Sequence, residues 1–85
     1  MSKCIIVGIL IPSRSRNVPE VQKVLTDYGC NIKTRLGLHD VSDSACSPTG
    51  LIVLETFGDE AAIAEMEAKL KAIDGVQIQQ MAFDL

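Results

Sequence analysis

The sequence predicts one α+β domain with the element order β-α-β-β-α-β. Two runs, Cys4 to Ile11 and Leu51 to Phe57, have the density of aliphatic residues that is typical of central strands. Each run precedes a segment with apolar residues at helical spacing, and each such segment precedes a further strand-like stretch. This order is that of ferredoxin-like domains, in which two helices pack on one face of a four-stranded antiparallel sheet.

Length and composition limit the chain to a small ordered domain. Its 85 residues, predicted to form a single domain over 1–85, are 47% hydrophobic and 22% charged, which indicates a folded globule. The net charge of −3 provides no broad basic field, so we expect no direct binding to nucleic acid. A core of this size gives modest stability, which favours association with a partner subunit.

The first helix is expected to begin at Asn17 and to end before Gly29. Asn17 is a suitable N-cap, Pro19 suits the first turn, and Glu20 stands three residues after the cap. Gly29 is expected to take the left-handed conformation that often terminates helices.

The second strand is predicted from the alternation of polar and apolar residues between Asn31 and Leu38. It has one wetter face, as an edge strand does. A polar segment, His39 to Thr49, contains serine, aspartate and proline and predicts a long hairpin tip before the third strand.

The second helix is expected to begin with Asp59 as its N-cap and to end at Gly75. In the last strand, which runs from Val76 to Phe83, Val76 and Ile78 share one parity, whereas Met81 and Phe83 fall on the other. A β-bulge near Gln79 or Gln80 would bring them onto one face.

The central strands are apolar at odd and even positions alike, whereas the helices of this fold cover only one face of the sheet. The other face would then exceed the few hundred Å² of apolar surface that monomers usually leave exposed. We therefore expect a homodimer or homotetramer, formed sheet to sheet or edge to edge.

Two long segments, NVPEVQKVLTDYGCNIKTRLGLHD and GLIVLETFGDEAAIAEMEAKLKAIDGVQI, resemble ACT-like domains that are assigned as regulators of the iron-only hydrogenase system. The resemblance covers almost the whole chain and includes Arg35, Gly37 and the spacing of Leu70, Ile73 and Gly75. It implies a non-enzymatic regulatory module that holds a small ligand near the first loop, at a subunit interface.

That first loop supplies the candidate ligand site. Arg14 and Arg16 stand just ahead of the expected helix start at Asn17, where free N–H groups attract anions. With Arg35 they form a candidate site for a small anion or an amino acid. The alternatives are a solvated polar linker and, for Arg35, a charge that protects an edge strand.

The chain also resembles the C-terminal half of nickel-responsive repressors, which suggests an alternative metal site for a divalent transition ion. His39 and Cys46 are good ligands, but such sites need three or four donors. Asp40, Asp43 or a second subunit would have to complete the set. The match is imperfect, because Gly37 stands where that family has a histidine and Cys46 follows His39 by seven positions instead of six.

Other readings of the sequence are less favoured. His39 and Cys46 lie in a serine-rich segment that is a poor frame for a catalytic pair, so we expect no enzyme and no cofactor. The chain has an odd number of widely spaced cysteines and neither an export signal nor a membrane span, which predicts a cytoplasmic protein without membrane contact. Cys4 and Cys30 are expected to be small buried residues.

Overall fold

A computed structural model describes residues 3–12, 14–41 and 46–85, and the side chains of 3–12, 18–37 and 50–85. The elements are β1 (Lys3–Ile11), α1 (Arg14–Asp27), a 3₁₀ turn (Gly29–Asn31), β2 (Ile32–Val41), β3 (Cys46–Thr56), α2 (Glu60–Lys71) and β4 (Gln77–Asp84). The strands form one antiparallel sheet in the order β2-β3-β1-β4. This is the ferredoxin-like α+β fold that the sequence predicts.

The hydrophobic core lies between one face of the sheet and the two helices. Alternate residues of β1 are buried, from Ile5 to Ile11, and Val7 packs in register with the fully buried Leu54 of β3. The helices complete this core with Val21, Leu25, Ile63, Met66 and Leu70. The buried residues that alternate along the strands and those that recur at helical spacing in α1 and α2 therefore form one core between the sheet and the helices.

Thr56 is the buried polar side chain among the described residues, at 3% exposure. Its hydroxyl donates to the backbone carbonyl of Ile5 at 2.8 Å, so the group is satisfied where water has no access.

The second helix begins as predicted, because the Asp59 carboxylate accepts a hydrogen bond from the backbone N–H of Ala61 at 3.0 Å. The helix ends at Lys71, and Gly75 follows in the turn before β4 with φ of 80°. A second left-handed glycine, Gly58 with φ of 92°, stands just ahead of Asp59.

The first helix ends before Gly29 as predicted, but its start and the conformation of Gly29 differ from the prediction. It begins at Arg14, so Asn17 lies within the helix and Pro19 is internal. The segment Ser-Arg-Ser-Arg-Asn contains several residues that favour caps, and local preference therefore did not identify the start. Gly29 has no positive φ and opens the 3₁₀ turn instead of closing the helix.

The predicted bulge in β4 is wrong. β4 pairs with β1 without interruption from Lys3–Asp84 to Leu10–Gln77. A register shift occurs in β2 instead, between Ile32 and Thr34, so these two residues face opposite sides of the sheet. Apolar residues on both parities of β4 indicate a strand that presents apolar groups to both faces.

The hairpin is more extensive than predicted, because β2 continues to Val41 and β3 begins at Cys46. At the other end of this hairpin, Asn31 ties β2 to the connection before α2. The backbone N–H of Phe57 donates to the Asn31 carbonyl at 3.0 Å, and the Asn31 side-chain amide donates to the Phe57 carbonyl at 3.1 Å.

The two edges of the sheet differ in character. β2 carries Lys33 and Arg35 and is interrupted by register shifts, two features that discourage further strand pairing. β4 contains no basic residue or proline over its eight residues, and its single charge is Asp84 at the end.

Candidate functional site

The candidate site is the face of the sheet that points away from the helices, here called the open face. The strand registers place alternate residues of all four strands on it. Its described members are Cys4, Ile6, Gly8 and Leu10 of β1, Thr34 and Leu36 of β2, Leu51, Val53 and Glu55 of β3, and Gln77, Gln79, Met81 and Phe83 of β4.

Large apolar side chains on the open face are exposed to solvent. Leu36 is 53% exposed, Leu51 38%, Met81 56% and Phe83 52%. The opposite face of the same strands is closed, since Val7 is fully buried. Isolated exposed apolar residues are ordinary, whereas a set spread over three of the four strands of one sheet face is typical of an interaction surface.

The charge of the Glu55 carboxylate on the open face is compensated by neighbouring side chains. Glu55 accepts a hydrogen bond from the Thr34 hydroxyl at 3.1 Å, and the Lys33 ammonium lies 3.7 Å from its other carboxylate oxygen. Cys4 at the far end is half-buried. The described part of this face therefore offers no uncompensated charge.

A depression of about 270 Å³ lies over Gly8 in the middle of the sheet. It is lined by Gly8, Leu10, Leu51, Gln77 and Gln79. Val53 and Gln79 both pair with Gly8, one from each neighbouring strand. Because strands are about 4.8 Å apart, these two neighbours stand about 10 Å apart with no side chain between them.

For most of the ligand site predicted from the sequence, the structure gives the position of the backbone but not of the side chains. Arg14, Arg16 and Asn17 belong to the first turns of α1, not to a loop ahead of it, and their side chains lie outside the described residues. Arg35 is exposed and pairs with Leu54, on the helix side of β2.

Arg35 is also distant along the strand from the start of α1. β1 ends at Ile11, which pairs with Gly50, and Gly50 is four residues from Leu54 on β3. At about 3.3 Å per residue, this separation is about 13 Å. The backbone therefore does not bring Arg35 beside the end of β1.

The alternative metal ligands lie on the hairpin. His39 pairs with Gly50 and Cys46 pairs with Val41, and the side chains of both lie outside the described residues. Among the side chains that the structure describes, no three histidine, cysteine, aspartate or glutamate residues come together as a metal site would require. Cys30, expected to be buried, is exposed in the 3₁₀ turn.

Polar groups on the helix side are engaged in holding the fold together. The Lys69 ammonium lies 5.1 Å from the centroid of the Tyr28 ring, and a hydrogen bond with Tyr28 raises the pKa of Lys69. The carboxamide of Gln80 donates to both carboxylate oxygens of Glu67, at 3.0 and 2.9 Å, and so joins β4 to α2. These contacts are structural.

The sequence prediction missed the depression over Gly8. Gly8 was visible as the one interruption of an aliphatic strand, but its neighbours Gln77 and Gln79 are assigned to it only by the register of β4.

None of the helices among the described residues combines the length and the apolar character needed to cross a membrane.

No family model matches the chain, and no curated protein matches it. Among solved structures, it is similar to an uncharacterized protein from Thermotoga maritima, with a TM-score of 0.81 and 23% identity over 96% of this chain and 99% of that one. It is also similar to CPII, a nitrogen regulatory PII-like protein from Thiomonas intermedia K12 bound to ADP, AMP and bicarbonate, with a TM-score of 0.55 and 10% identity over 98% and 94% of the two chains. A dimeric ferredoxin-like protein from an uncultured marine organism aligns with a TM-score of 0.54 and 10% identity, over 96% and 94%. At these identities the similarities establish the fold.

Proposed function

We propose that the chain is a non-enzymatic regulatory module of the cytoplasm that senses a small molecule and acts as a homo-oligomer. The open face carries this proposal, because it presents Leu36, Leu51, Met81 and Phe83 at 38–56% exposure. A second copy that packs on this face would remove these side chains from water, which is the main favourable contribution in protein association.

The open face has room for a small interface but is below the standard size. Four strands about 4.8 Å apart and eight residues of about 3.3 Å each span about 500 Å² before the relief of the side chains is counted. Standard interfaces bury about 800 Å² per partner, and the largest apolar patch of a typical monomer is about 300–600 Å². The compensated charge of Glu55 also favours self-association, because two copies of this face do not repel each other.

Related folds support the sensing part of the proposal. CPII is described as a nitrogen regulatory protein that binds nucleotides and bicarbonate, and the marine protein is described as dimeric. By analogy, we propose a small effector for this chain, with hydrogenase-system regulation as the role implied by the resemblance of its sequence. Fold analogy supplies the class of function, and the site must supply the ligand.

The ligand site that we propose lies at the start of α1, with Arg14, Arg16 and Asn17. Arg35, the fourth residue predicted from the sequence, is on β2 and is not beside them along the backbone. A small anion or an amino acid is the proposed ligand, because guanidinium groups and helix N-termini both favour carboxylates and phosphates.

Two measurements test the proposal. Sedimentation equilibrium at micromolar concentration should give a dimer or tetramer, and a strictly monomeric chain would refute the homo-oligomeric part. A thermal-shift screen with amino acids, nucleotides and divalent ions should show stabilisation by one class. Loss of an anion or amino-acid response in Arg14→Ala supports the α1 site, whereas a nickel, zinc or cobalt response that disappears in His39→Ala would replace it with the metal site.

A further inference from the structure

We infer that the depression over Gly8 on the open face is a binding site for a small uncharged molecule with an apolar body and one amide-like hydrogen-bonding group. The inference deepens the proposed sensing role and rests on it for its biological purpose. It places the ligand on the sheet, away from the arginines at the start of α1.

The fold itself gives no reason for glycine at position 8. Gly8 is not among the residues with positive φ, and its pairing with both neighbouring strands is unbroken, which excludes a bulge. A Cβ at this position would meet its nearest atom, the Gln79 carbonyl oxygen, at 3.9 Å, an ordinary contact. Glycine within a strand weakens the strand, and it commonly marks a place where a ligand or another backbone approaches closely.

The walls of the depression define the chemistry of the ligand. Leu10 and Leu51 form an apolar side, and the carboxamides of Gln77 and Gln79 stand on the β4 side. A carboxamide both donates and accepts hydrogen bonds, so this pair matches an amide, a lactam or a hydroxyl group. Among the side chains that the structure describes, none that lines the depression is ionisable, so an ion bound there would find no counter-charge. A neutral ligand is therefore favoured.

The two carboxamides are available for a ligand. Neither makes a hydrogen bond within the described part of the chain, whereas Gln80 on the opposite face of β4 is held by Glu67. Gln80 therefore helps to hold β4 against α2, whereas the carboxamides of Gln77 and Gln79 remain free to hydrogen-bond a ligand.

The volume indicates a small ligand. About 270 Å³ is just below the range of about 300–1,000 Å³ for the pockets of drug-sized ligands. The depression is open on the side away from the sheet. A second copy packed on the open face would close it at the usual spacing of about 10 Å between stacked sheets, so ligand binding should strengthen association.

Benzamide is a suitable probe because it combines an apolar ring with a neutral carboxamide. In NMR titrations of the isotope-labelled full chain, we expect saturable shifts, in the millimolar range, of the Gly8 backbone amide and of the side-chain amides of Gln77 and Gln79. Toluene lacks the amide and benzoate carries a charge, so each should bind at least fivefold more weakly. Shifts scattered over the surface, or equal affinity for all three compounds, would overturn the inference.

Two variants separate ligand binding from folding. Gly8→Val fills the depression with a side chain that suits strands, and Gln79→Leu keeps the approximate shape but removes one carboxamide. Both should remain folded by circular dichroism and lose at least tenfold in benzamide affinity; unchanged affinity in Gly8→Val would overturn the site.

The failure of this site is distinguishable from the failure of the proposed function. If benzamide does not bind and Gly8→Val instead abolishes self-association, the depression accommodates the partner's surface and the ligand assignment is overturned. In that case an effector response that depends on Arg14 would still support a sensing module.

Discussion

Replacing Phe83 by alanine should weaken self-association by about a thousandfold without unfolding the chain. Phe83 is 52% exposed on the open face, so about 100 Å² of a side chain of about 200 Å² remains for a partner to cover. At about 25 cal/mol per Å², and allowing for the atoms that alanine retains, this amounts to about 2 kcal/mol per copy. A two-fold symmetric dimer contains the residue twice, so the expected loss is about 4 kcal/mol.

Sedimentation equilibrium over a range of protein concentrations measures this loss directly. Gln22→Ala is the matched control, because Gln22 is exposed on α1, away from the open face, and its replacement should leave the association constant unchanged. Circular dichroism should show that both variants are folded. If Phe83→Ala stays within threefold of the unaltered chain, the open face is not the interface and the reasoning from its exposure fails.

Three further predictions concern stability and are measured by urea unfolding at one fixed protein concentration. Thr56→Val should cost about 1 kcal/mol, because a buried hydroxyl loses its hydrogen bond to a β1 carbonyl, whereas the exposed Thr34→Val should cost little; equal effects would contradict the assigned burial. Gly58→Ala should cost more than about 1 kcal/mol, since φ is 92° and the new Cβ would lie 3.0 Å from a side-chain nitrogen. Gly37→Ala, with open space around its Cβ, should be close to neutral, and a similar loss in both would refute the strain argument. Asp59→Ala should cost about 1 kcal/mol through loss of the N-cap of α2 and Asp59→Asn much less; no difference between them would argue against the cap.

The fold was predictable because its main signals are local and repeated. Two aliphatic runs, helical spacing in two segments and a strong cap at Asp59 each specify an element without knowledge of its neighbours. The start of α1 was not predictable in the same way. The sequence offers three similar N-cap residues in Ser13, Ser15 and Asn17, and the choice among them depends on how the helix packs.

The open face was predictable in outline but not in detail. A helix layer on one side, together with apolar residues on both parities of β1, was sufficient to predict an uncovered apolar surface. The contribution of β4 was misread, since a bulge was predicted to bring its apolar residues onto one face, and the continuous register excludes that bulge. Gln77 and Gln79 are brought beside Gly8 by the pairing of β4 with β1, two strands that are far apart in the sequence. Composition and residue spacing do not predict the register of such a pair.

The two edges of the sheet have unequal capacity for growth. A further strand is disfavoured at β2 by its basic residues and register shifts, whereas β4 is regular and nearly uncharged. If two chains join through β4, each contributes the same edge, and the resulting eight-stranded sheet is bounded on both sides by β2. Such an assembly is closed after one addition, so this asymmetry protects the chain against open-ended fibre formation.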